Sequence, residues 1–194
     1  MTRTAPLDRK TEEVTITGRI DLDGTGSSDV TTGLGFLDHM LTTLAKHGGF
    51  DLVLGAVGDT TVDDHHTVED CAIALGRGIF RALGDGDGIR RFGNSSVALD
   101  ESLVRCVVDL SGRPWPEIHL DFGTDRIGDV AAENLVHFFR SLAMEGRMAL
   151  HLDLIRGDNA HHQAEAAFKA TALALRSAIE ITTVGVPSTK GSLG

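Results

Sequence analysis

Tyrosine is absent from the 194 residues of this chain, and cysteine occurs only twice, at Cys71 and Cys106. Each cysteine lies in an apolar stretch of a different predicted element. This setting is typical of buried free thiols, and it argues against both a disulfide and a cysteine metal site.

Long apolar runs are also missing. No stretch of the sequence approaches the roughly 20 apolar residues that a bilayer-spanning helix requires. The N-terminal segment MTRTAPLDRKTEE carries basic residues without an apolar run behind them, so we expect no secretory signal. These two absences predict a cytoplasmic protein with no membrane partner.

Positive charge is scarce, because 18 lysines and arginines face 28 aspartates and glutamates, for a formal net charge of −10. Nucleic acids and anionic membranes both favour basic surfaces, so neither is an expected partner. An anionic small substrate would need its own local cations. With 41% hydrophobic residues, the chain is otherwise typical of a globular protein with a sizeable core.

The two halves of the chain show the same order of predicted elements. Alternating apolar residues predict strands in EVTITGRIDLDG, SSDVTTG and FDLVLGAV, and helical spacing predicts helices in LGFLDHMLTTLAKHGG and from His65 to Gly84. The strands SSVALDE, SLVRCVVDLSG and PEIHLDFG, followed by helix, strand and helix, repeat that order. The pattern predicts an α+β fold with an internal duplication of a ββαβα or βββαβα unit, with repeats at 1–90 and 91–194 fused into one compact unit.

One motif, HHxxE, occurs once in each half. HHTVED begins at His65 and HHQAEA begins at His161. In a helix, residues three and four apart share a face, so both histidines of a pair can reach the following glutamate. Adjacent histidines diverge by about 100° around the helix axis. A single ion cannot easily bind both histidines of a pair, whereas two ions could each bind one.

A further helix histidine in each half, His39 or His137, aligns between the repeats. Two ions could then share eight candidate ligands, three imidazoles and one carboxylate each, a donor set that suits divalent transition metals. An octahedral ion held in this way keeps about two positions for substrate or water, which favours catalysis. A lone helix histidine is usually structural, but the duplicated motif favours metal binding. The eight candidates are His39, His65, His66, Glu69, His137, His161, His162 and Glu165.

Cationic residues in glycine-bearing turns are candidates for phosphate binding. Arg91 lies in GIRRFGN, Arg113 in DLSGRPW, and the segment VPSTKGSL contributes Ser188, Thr189 and Lys190. Each segment alone is better explained as a solvated turn or a frayed tail. Together, in an acidic protein, they predict a phosphate pocket. Asp100 at a predicted hairpin turn and Glu13 at a strand start are not distinguished by spacing.

Seven motifs spread in order over nearly the whole chain closely resemble the imidazoleglycerol-phosphate dehydratase family of histidine biosynthesis. They are FLDHML, DDHHTVEDCAIALG, IRRFG, DLSGRP, HFFRSLA, HHQAEAAFKA and PSTKGSL. The resemblance implies a lyase that converts D-erythro-imidazole-glycerol phosphate to imidazole-acetol phosphate and uses two Mn²⁺ ions per active site. It implies two left-handed βαβ repeats like domain 2 of ribosomal protein S5, with sheets packed against a helical layer. It also implies a 24-subunit homo-oligomer built from trimers, with active sites between subunits.

Residue roles follow from the same resemblance. The eight ligand candidates match the family's metal ligands, and Asp100 matches a proposed catalytic position. Asp100, Glu13 and Glu165 are candidates for proton transfer. The expected reaction passes through a metal-bound imidazolate and a diazafulvene-like intermediate before the C2 proton is removed. Matches to substrate-contacting positions are Glu13, Arg91, Arg113, Lys169, Ser188, Thr189 and Lys190.

Two other functions are compatible with the residues alone. A two-metal phosphoester hydrolase could also combine two ions with arginines, although such sites usually use more carboxylates. A metal-buffering protein could use the same ligands, but separate arginine and lysine loops would then have no purpose. The histidine-rich ligand set fits a nitrogenous ring better than either alternative.

Overall fold

The computed structural model describes residues 3–182 and 185–193. The first repeat contains β1 (Thr4–Pro6), β2 (Arg9–Lys10), β3 (Val14–Asp21), β4 (Ser28–Thr31), α1 (Gly35–Gly48), β5 (Asp51–Gly58) and α2 (His65–Leu83). The second contains β6 (Phe92–Leu99), β7 (Ser102–Asp109), β8 (Trp115–His119), β9 (Arg126–Ile127), β10 (Val130–Ala131), α3 (Ala132–Glu145), β11 (Ala149–Arg156) and α4 (Ala160–Ile179).

The strand order is the same in both main sheets. The first sheet runs β1-β3-β5-β4, with β2 also paired to β3, and the second runs β6-β7-β11-β8. In each sheet the last pair is parallel and is connected through a helix, as parallel neighbours require. The broken strand β1–β2 thus corresponds to β6, β3 to β7, β4 to β8 and β5 to β11. This correspondence confirms the predicted α+β duplication of a βββαβα unit.

Each sheet buries one face against helices and turns the other face outward. In β7, Val104, Cys106 and Val108 are fully buried, while Arg105 and Val107 between them are exposed. This alternation is the period of two that a half-buried strand requires. Helix α2 packs on β1 and β3, and α4 packs on β6 and β7.

The helices of the two repeats pack against each other. Helix α1 contacts α4, and α2 contacts α3, so each pair joins the two halves. The ring centroids of Phe138 and Phe139 of α3 lie 5.1 and 4.7 Å from that of Phe168 of α4, and all three side chains are fully buried. Each buried phenylalanine contributes about 1.5 to 3 kcal/mol relative to an exposed one. This helical layer places the N-terminal turns of α2 and α4 beside α3 and α1.

Some short elements were not predicted. Strands β1 and β2 pair the N-terminal residues with β3, and β9 and β10 form a small hairpin before α3. Strands of two or three residues carry no measurable periodicity, and Pro6 lowers the strand propensity of β1, where an edge position tolerates it. The division of the chain at residue 90 stays a prediction, with α2 ending at Leu83 and β6 starting at Phe92.

Both cysteines are free and buried, as predicted, and burial raises the pKa of each thiol above its ordinary value. Among the described residues, none of the helices combines the length and the apolar character needed to cross a membrane.

Candidate functional site

Both HHxxE motifs occupy the first turns of their helices. The Asp63 side chain accepts a hydrogen bond from the His65 N–H at 2.8 Å, and Asn159 accepts from the N–H groups of His161 and His162. Side-chain acceptors at this position satisfy the free N–H groups of a helix start. The caps therefore fix where each helix begins, and with it the direction in which each histidine points.

Six of the eight candidate ligands form two clusters. The first, termed the His65 cluster, contains His65, Glu69 and His137, and the second, termed the His39 cluster, contains His39, His161 and Glu165. In each cluster, one ligand atom per residue lies within 4.8 Å of the others. Each cluster combines the HHxxE motif of one repeat with the lone helix histidine of the other, because α2 packs on α3 and α1 packs on α4.

The His65 cluster converges on its glutamate. The Nε2 of His137 lies 3.0 Å from one oxygen of Glu69, and the Nε2 of His65 lies 3.8 Å from the other. The rings of His65 and His137 stack with centroids 5.1 Å apart. Two imidazole nitrogens and a carboxylate oxygen at one point are a donor set that fits a divalent transition metal ion.

The His39 cluster has the same donor set. The Nε2 atoms of His39 and His161 lie 3.4 and 3.2 Å from the same oxygen of Glu165. The other oxygen of Glu165 pairs with Lys169 at 2.7 Å. Burial alone would raise the pKa of Glu165, but Lys169 and His39 outweigh burial and hold it below its ordinary value. The structure thus places Lys169, a predicted substrate contact, directly on a candidate metal ligand.

The remaining two ligands, His66 and His162, point away from both clusters. The ring of His66 is nearly perpendicular to that of His65, and the ring of His162 is nearly perpendicular to that of His161. The two side chains of each pair leave the helix about 100° apart, so one enters a cluster while the other lies outside it. Among the described residues, a single copy of the chain therefore presents the two histidine-rich clusters, with His66 and His162 outside them.

Carboxylates hold the rings of both separate histidines. The Nδ1 of His66 lies 3.1 Å from Asp59, and the Nδ1 of His162 lies 2.9 Å from Glu101. The Nε2 atoms face Glu13 at 3.6 Å and Asp100 at 3.8 Å. A carboxylate on one ring nitrogen and a free second nitrogen is the usual arrangement of a metal-binding histidine. Asp100, Glu101 and His162 also bring three ligand atoms within 4.8 Å of one another.

These contacts couple the ionisation of the partners. The hydrogen bond to Asp59 raises the pKa of His66, and the hydrogen bond to Glu101 raises the pKa of His162. In turn, His162 and the Asn159 N–H lower the pKa of Glu101. Without an ion, each histidine and its carboxylate therefore form a charge-assisted pair.

A buried polar chain supports His65. Because the Oδ1 of Asn134 can only accept, the Nδ1 of His65 donates to it at 2.9 Å, which leaves Nε2 free for an ion. The Nδ2 of Asn134 donates to Asp64 at 2.9 Å, and Asp64 also accepts from the Ala131 N–H. Burial would raise the pKa of Asp64, but these hydrogen bonds and the nearby Arg126 lower it overall. The carboxylate is therefore ionised and keeps Asn134 in place.

Sequence reasoning missed four supporting residues: Asp59, Asp64, Glu101 and Asn134. Only Asp64 carried a local signal, since it directly precedes the histidine pair. Asn134 lies 69 positions from His65, and Glu101 lies 61 positions from His162. Such contacts are created by helix packing and strand pairing, which a single sequence does not reveal.

The predicted phosphate contacts at the other end of α4 share one cavity of about 550 Å³. Ser111 and Leu193 also line it, together with the predicted residues Arg91, Arg113, Ser188, Thr189 and Lys190. Within residues 3–182 and 185–193, no carboxylate pairs with Arg113 or Lys190. The cavity therefore offers two cations without a carboxylate partner in those ranges and the hydroxyls of Ser111, Ser188, Thr189 and Ser192.

Arg91 lines this cavity, as its predicted substrate contact requires, and it is also engaged within the chain. Its Nε and Nη2 bind the Asp109 carboxylate at 2.7 and 3.1 Å, which raises the pKa of the guanidinium, and its Nη1 donates to the carbonyl of Pro187 at 3.0 Å. These bonds use most of its donors. Arg91 therefore fastens the C-terminal segment to the end of β7, and Arg113 and Lys190 are left as the free cations.

The fold and the clusters define a class of protein: a duplicated α+β chain whose candidate metal ligands are paired across its two repeats. A family model described as imidazoleglycerol-phosphate dehydratase matches residues 32–175. The chain belongs to the imidazoleglycerol-phosphate dehydratase family.

Two similar proteins carry the name of this family. The imidazoleglycerol-phosphate dehydratase of Cereibacter sphaeroides is 51% identical over 194 residues, with 98% of this chain and 100% of the relative covered. The protein of that name from Phytophthora nicotianae is 53% identical over 192 residues. Here 98% of this chain is covered but only 42% of the relative, so this chain spans less than half of that longer protein.

Two solved structures resemble the fold. The crystal structure of imidazoleglycerol-phosphate dehydratase from Staphylococcus aureus has a TM-score of 0.82 and 36% identity, and it covers 92% of this chain and 99% of its own. The structure from Pyrococcus furiosus in complex with (S)-C348 has a TM-score of 0.81 and 34% identity, with 98% and 99% covered.

Proposed function

We propose that this chain dehydrates imidazoleglycerol phosphate and is a carbon–oxygen lyase of histidine biosynthesis, as its family membership indicates. The observation that carries the proposal is the pair of clusters in which each HHxxE motif meets the lone histidine of the other repeat. A histidine-rich pair of ion sites suits a substrate that contains an imidazole ring. The free cations of the cavity at the other end of α4 suit its phosphate.

Two divalent ions, Mn²⁺ by resemblance, fit the donor sets of the His65 and His39 clusters. Bound there, the ions would act as Lewis acids toward the ring nitrogens of the substrate. His66 and His162 face away from the clusters of their own chain, so we assign them as fourth ligands to clusters of neighbouring copies. The carboxylates of Asp59 and Glu101 orient these two rings through Nδ1.

The proton-transfer candidates differ in their availability. Glu165 is engaged by Lys169 and two histidines, which leaves no free oxygen for a substrate proton. The side chains of Glu13 and Asp100 are 53% and 73% exposed and lie beside His66 and His162. They are the better candidates to accept the C2 proton. Loss of this proton and of the C3 hydroxyl releases water and leaves an enol, which tautomerises to the ketone.

The distance between the two parts of the site supports an active site between copies. The backbone N–H of Arg91 donates to the carbonyl of Ala178, near the end of α4, whereas His161 lies in its first turn. At 1.5 Å per residue, these points are about 25 Å apart. That is several times the length of the three-carbon chain between the imidazole and the phosphate. We therefore propose that one copy binds the phosphate while another presents the clusters.

A homo-oligomer follows from this proposal, and the 24-subunit assembly of trimers stays the expectation from resemblance. Cytoplasmic location, and the lack of nucleic-acid and membrane partners, also stay predictions from the sequence.

The test is turnover of imidazoleglycerol phosphate by the purified chain with and without Mn²⁺, with the ketone product followed. We expect ketone formation that is lost on chelation and restored by Mn²⁺. Release of inorganic phosphate would instead support the hydrolase alternative. No turnover by protein that has bound its ions would contradict the dehydratase proposal and support a metal-buffering role. His151→Ala is the control, because His151 lies on the outward face of β11.

A further inference from the structure

We infer that the two clusters bind their ions with unequal affinity, and that the His65 cluster fills first. The inference rests on the proposed metal binding and extends it, because nothing in a duplicated motif requires its two copies to differ. The difference lies in the residues around the ligands.

The repeats supply a position-by-position comparison. A shift of 96 residues places His65 on His161 and Glu69 on Glu165, and a shift of 98 places His39 on His137. By the same shifts, Asn134 corresponds to Phe36, and Ile73 corresponds to Lys169. Both substitutions lie next to a cluster, and both change its chemistry.

The first difference concerns the rings of the two paired histidines. The Nδ1 of His65 donates to Asn134, which Asp64 holds in place, and both supporting side chains are buried. This chain fixes the tautomer and the ring orientation that present Nε2 to an ion. Removal of such a partner typically lowers metal affinity by about 10- to 100-fold.

His161 lacks this support. Phe36, in the position of Asn134, meets the ring of His161 edge to face with centroids 5.3 Å apart. In the part of the chain that the structure describes, the ring nitrogen that contacts Glu165 is the only one of His161 with a polar protein partner. The His161 ring is therefore packed but its tautomer is not selected, which reduces its affinity for an ion relative to His65.

The second difference concerns the glutamates. Lys169 pairs with Glu165 at 2.7 Å and is mostly buried, so an incoming dication must share this carboxylate with an ammonium group. The corresponding residue near Glu69 is the uncharged Ile73, one helical turn further along α2. Like charges at such short range repel strongly in a partly desolvated site. Arg140 also borders the His65 cluster, but it is exposed and forms no ion pair with Glu69 in the described residues.

Both differences favour the His65 cluster, so we expect its affinity for Mn²⁺ to exceed that of the His39 cluster by roughly tenfold or more. At limiting Mn²⁺, the His65 cluster is then occupied while the His39 cluster is largely empty. Because turnover needs both ions, activity follows the weaker site, where Lys169 competes with the ion for Glu165.

The experiment is a Mn²⁺ titration of the full-length, assembled, chelator-stripped protein, with free Mn²⁺ measured by electron paramagnetic resonance. We expect two phases. His137→Ala should remove the tight phase and His39→Ala should remove the weak one. A single phase that accounts for both ions, or loss of the weak phase in His137→Ala, would overturn the inference while leaving metal binding intact. No Mn²⁺ binding at all would instead overturn the metal-dependent function.

A matched pair of substitutions tests the cause. Lys169→Ile should tighten the weak phase by roughly tenfold, and Ile73→Lys should weaken the tight phase by a similar factor. Both side chains are partly buried, so circular dichroism and oligomer size check the fold of each variant. Unchanged affinity of the weak phase in Lys169→Ile would exclude the lysine as the cause, and this variant decides alone if Ile73→Lys does not fold. Asn134→Ala should weaken only the tight phase.

Discussion

The two ends of α4 carry different kinds of candidate site. At its N-terminal end, termed the histidine end, the helix carries His161, His162 and Glu165, and a hydrogen bond to Glu101 holds the ring of His162. At its C-terminal end, termed the cation end, the candidate phosphate-binding cations lie in turns. Arg91 adopts a positive φ of 72°, and Ser188 to Lys190 belong to no helix or strand. Metal ligands need fixed relative positions, whereas a phosphate can be bound by loops that adjust to it. Under the proposed function, each end supplies one part of the site and neither is sufficient alone.

The largest expected effect comes from two variants, each of which damages one end of the site and leaves the other intact. His161→Ala damages the histidine end and Arg113→Ala damages the cation end, and each alone should lower activity on the order of 100-fold or more. If sites form between copies, an equal mixture assembled together should regain about a quarter of wild-type activity, because half of the copies supply each intact end. The measurement is ketone formation after coexpression of the two variants.

Two controls sharpen this result. The first control is the double variant, His161→Ala with Arg113→Ala, coexpressed in equal amount with wild type. Here too half of the copies supply each intact end, so random pairing should give about a quarter of wild-type activity. Each single variant expressed alone should stay inactive. A mixture of single variants that remains inactive, with intact assembly, would mean that both ends must belong to the same chain.

Much of the fold could be predicted because its long elements carry clear periodicity. The segment LGFLDHMLTTLAKHGG became α1 at Gly35–Gly48, and the predicted helix from His65 to Gly84 became α2 at His65–Leu83. The hairpin β9–β10 was not predicted, because two-residue strands have no period. Yet this hairpin holds the histidine end together, since Ala131 contacts Asp64 and Asp129 contacts the start of α1.

The candidate site could be predicted less completely. Duplication pointed to the candidate ligands, and helix geometry separated His65 from His66, which lie in different surroundings in the structure. The sequence did not reveal that each lone histidine joins the motif of the other repeat, because this depends on which helices pack together. It also did not reveal that Asp109 pairs with the Arg91 guanidinium, which follows from the strand register between β6 and β7; phosphate binding by Arg91 stays a prediction.

The next largest effect concerns a histidine outside the clusters. His66→Ala should lower bound Mn²⁺ from about two ions per chain to about one, and activity should fall with it, because a site with three ligands binds less tightly than one with four. Metal content of dialysed protein measures the change, and His151→Ala is the control. Full metal content with lost activity would show that His66 acts on the substrate and not on an ion.

A smaller effect is expected from the carboxylates that orient the separate histidines. Asp59→Asn and Glu101→Gln keep a hydrogen-bond acceptor but remove the charge, and each should weaken Mn²⁺ binding by about tenfold. Activity should then recover at high Mn²⁺, because the ligands themselves remain. A loss of activity that excess Mn²⁺ does not restore would mean that these carboxylates act in proton transfer instead.

The smallest effect is a stability difference at the histidine end. Asp129, from the hairpin of the second repeat, accepts hydrogen bonds from the N–H groups of Gly35 and Phe36 at 2.6 and 2.9 Å, and so caps α1 of the first repeat. Asp129→Ala should lower the free energy of unfolding of the metal-free protein by about 1 kcal/mol, as the loss of a helix cap does.

Asp125→Ala is the matched control for this substitution, because Asp125 is exposed and its backbone carbonyl accepts a hydrogen bond from Ala132 at the start of α3, which the substitution keeps. Its effect should stay within about 0.5 kcal/mol. Denaturant unfolding at constant protein concentration measures both variants, since assembly also contributes to stability. Equal destabilisation by the two substitutions would mean that the Asp129 carboxylate does not cap α1. The hairpin would then support the histidine end through its backbone and through Asp64 alone.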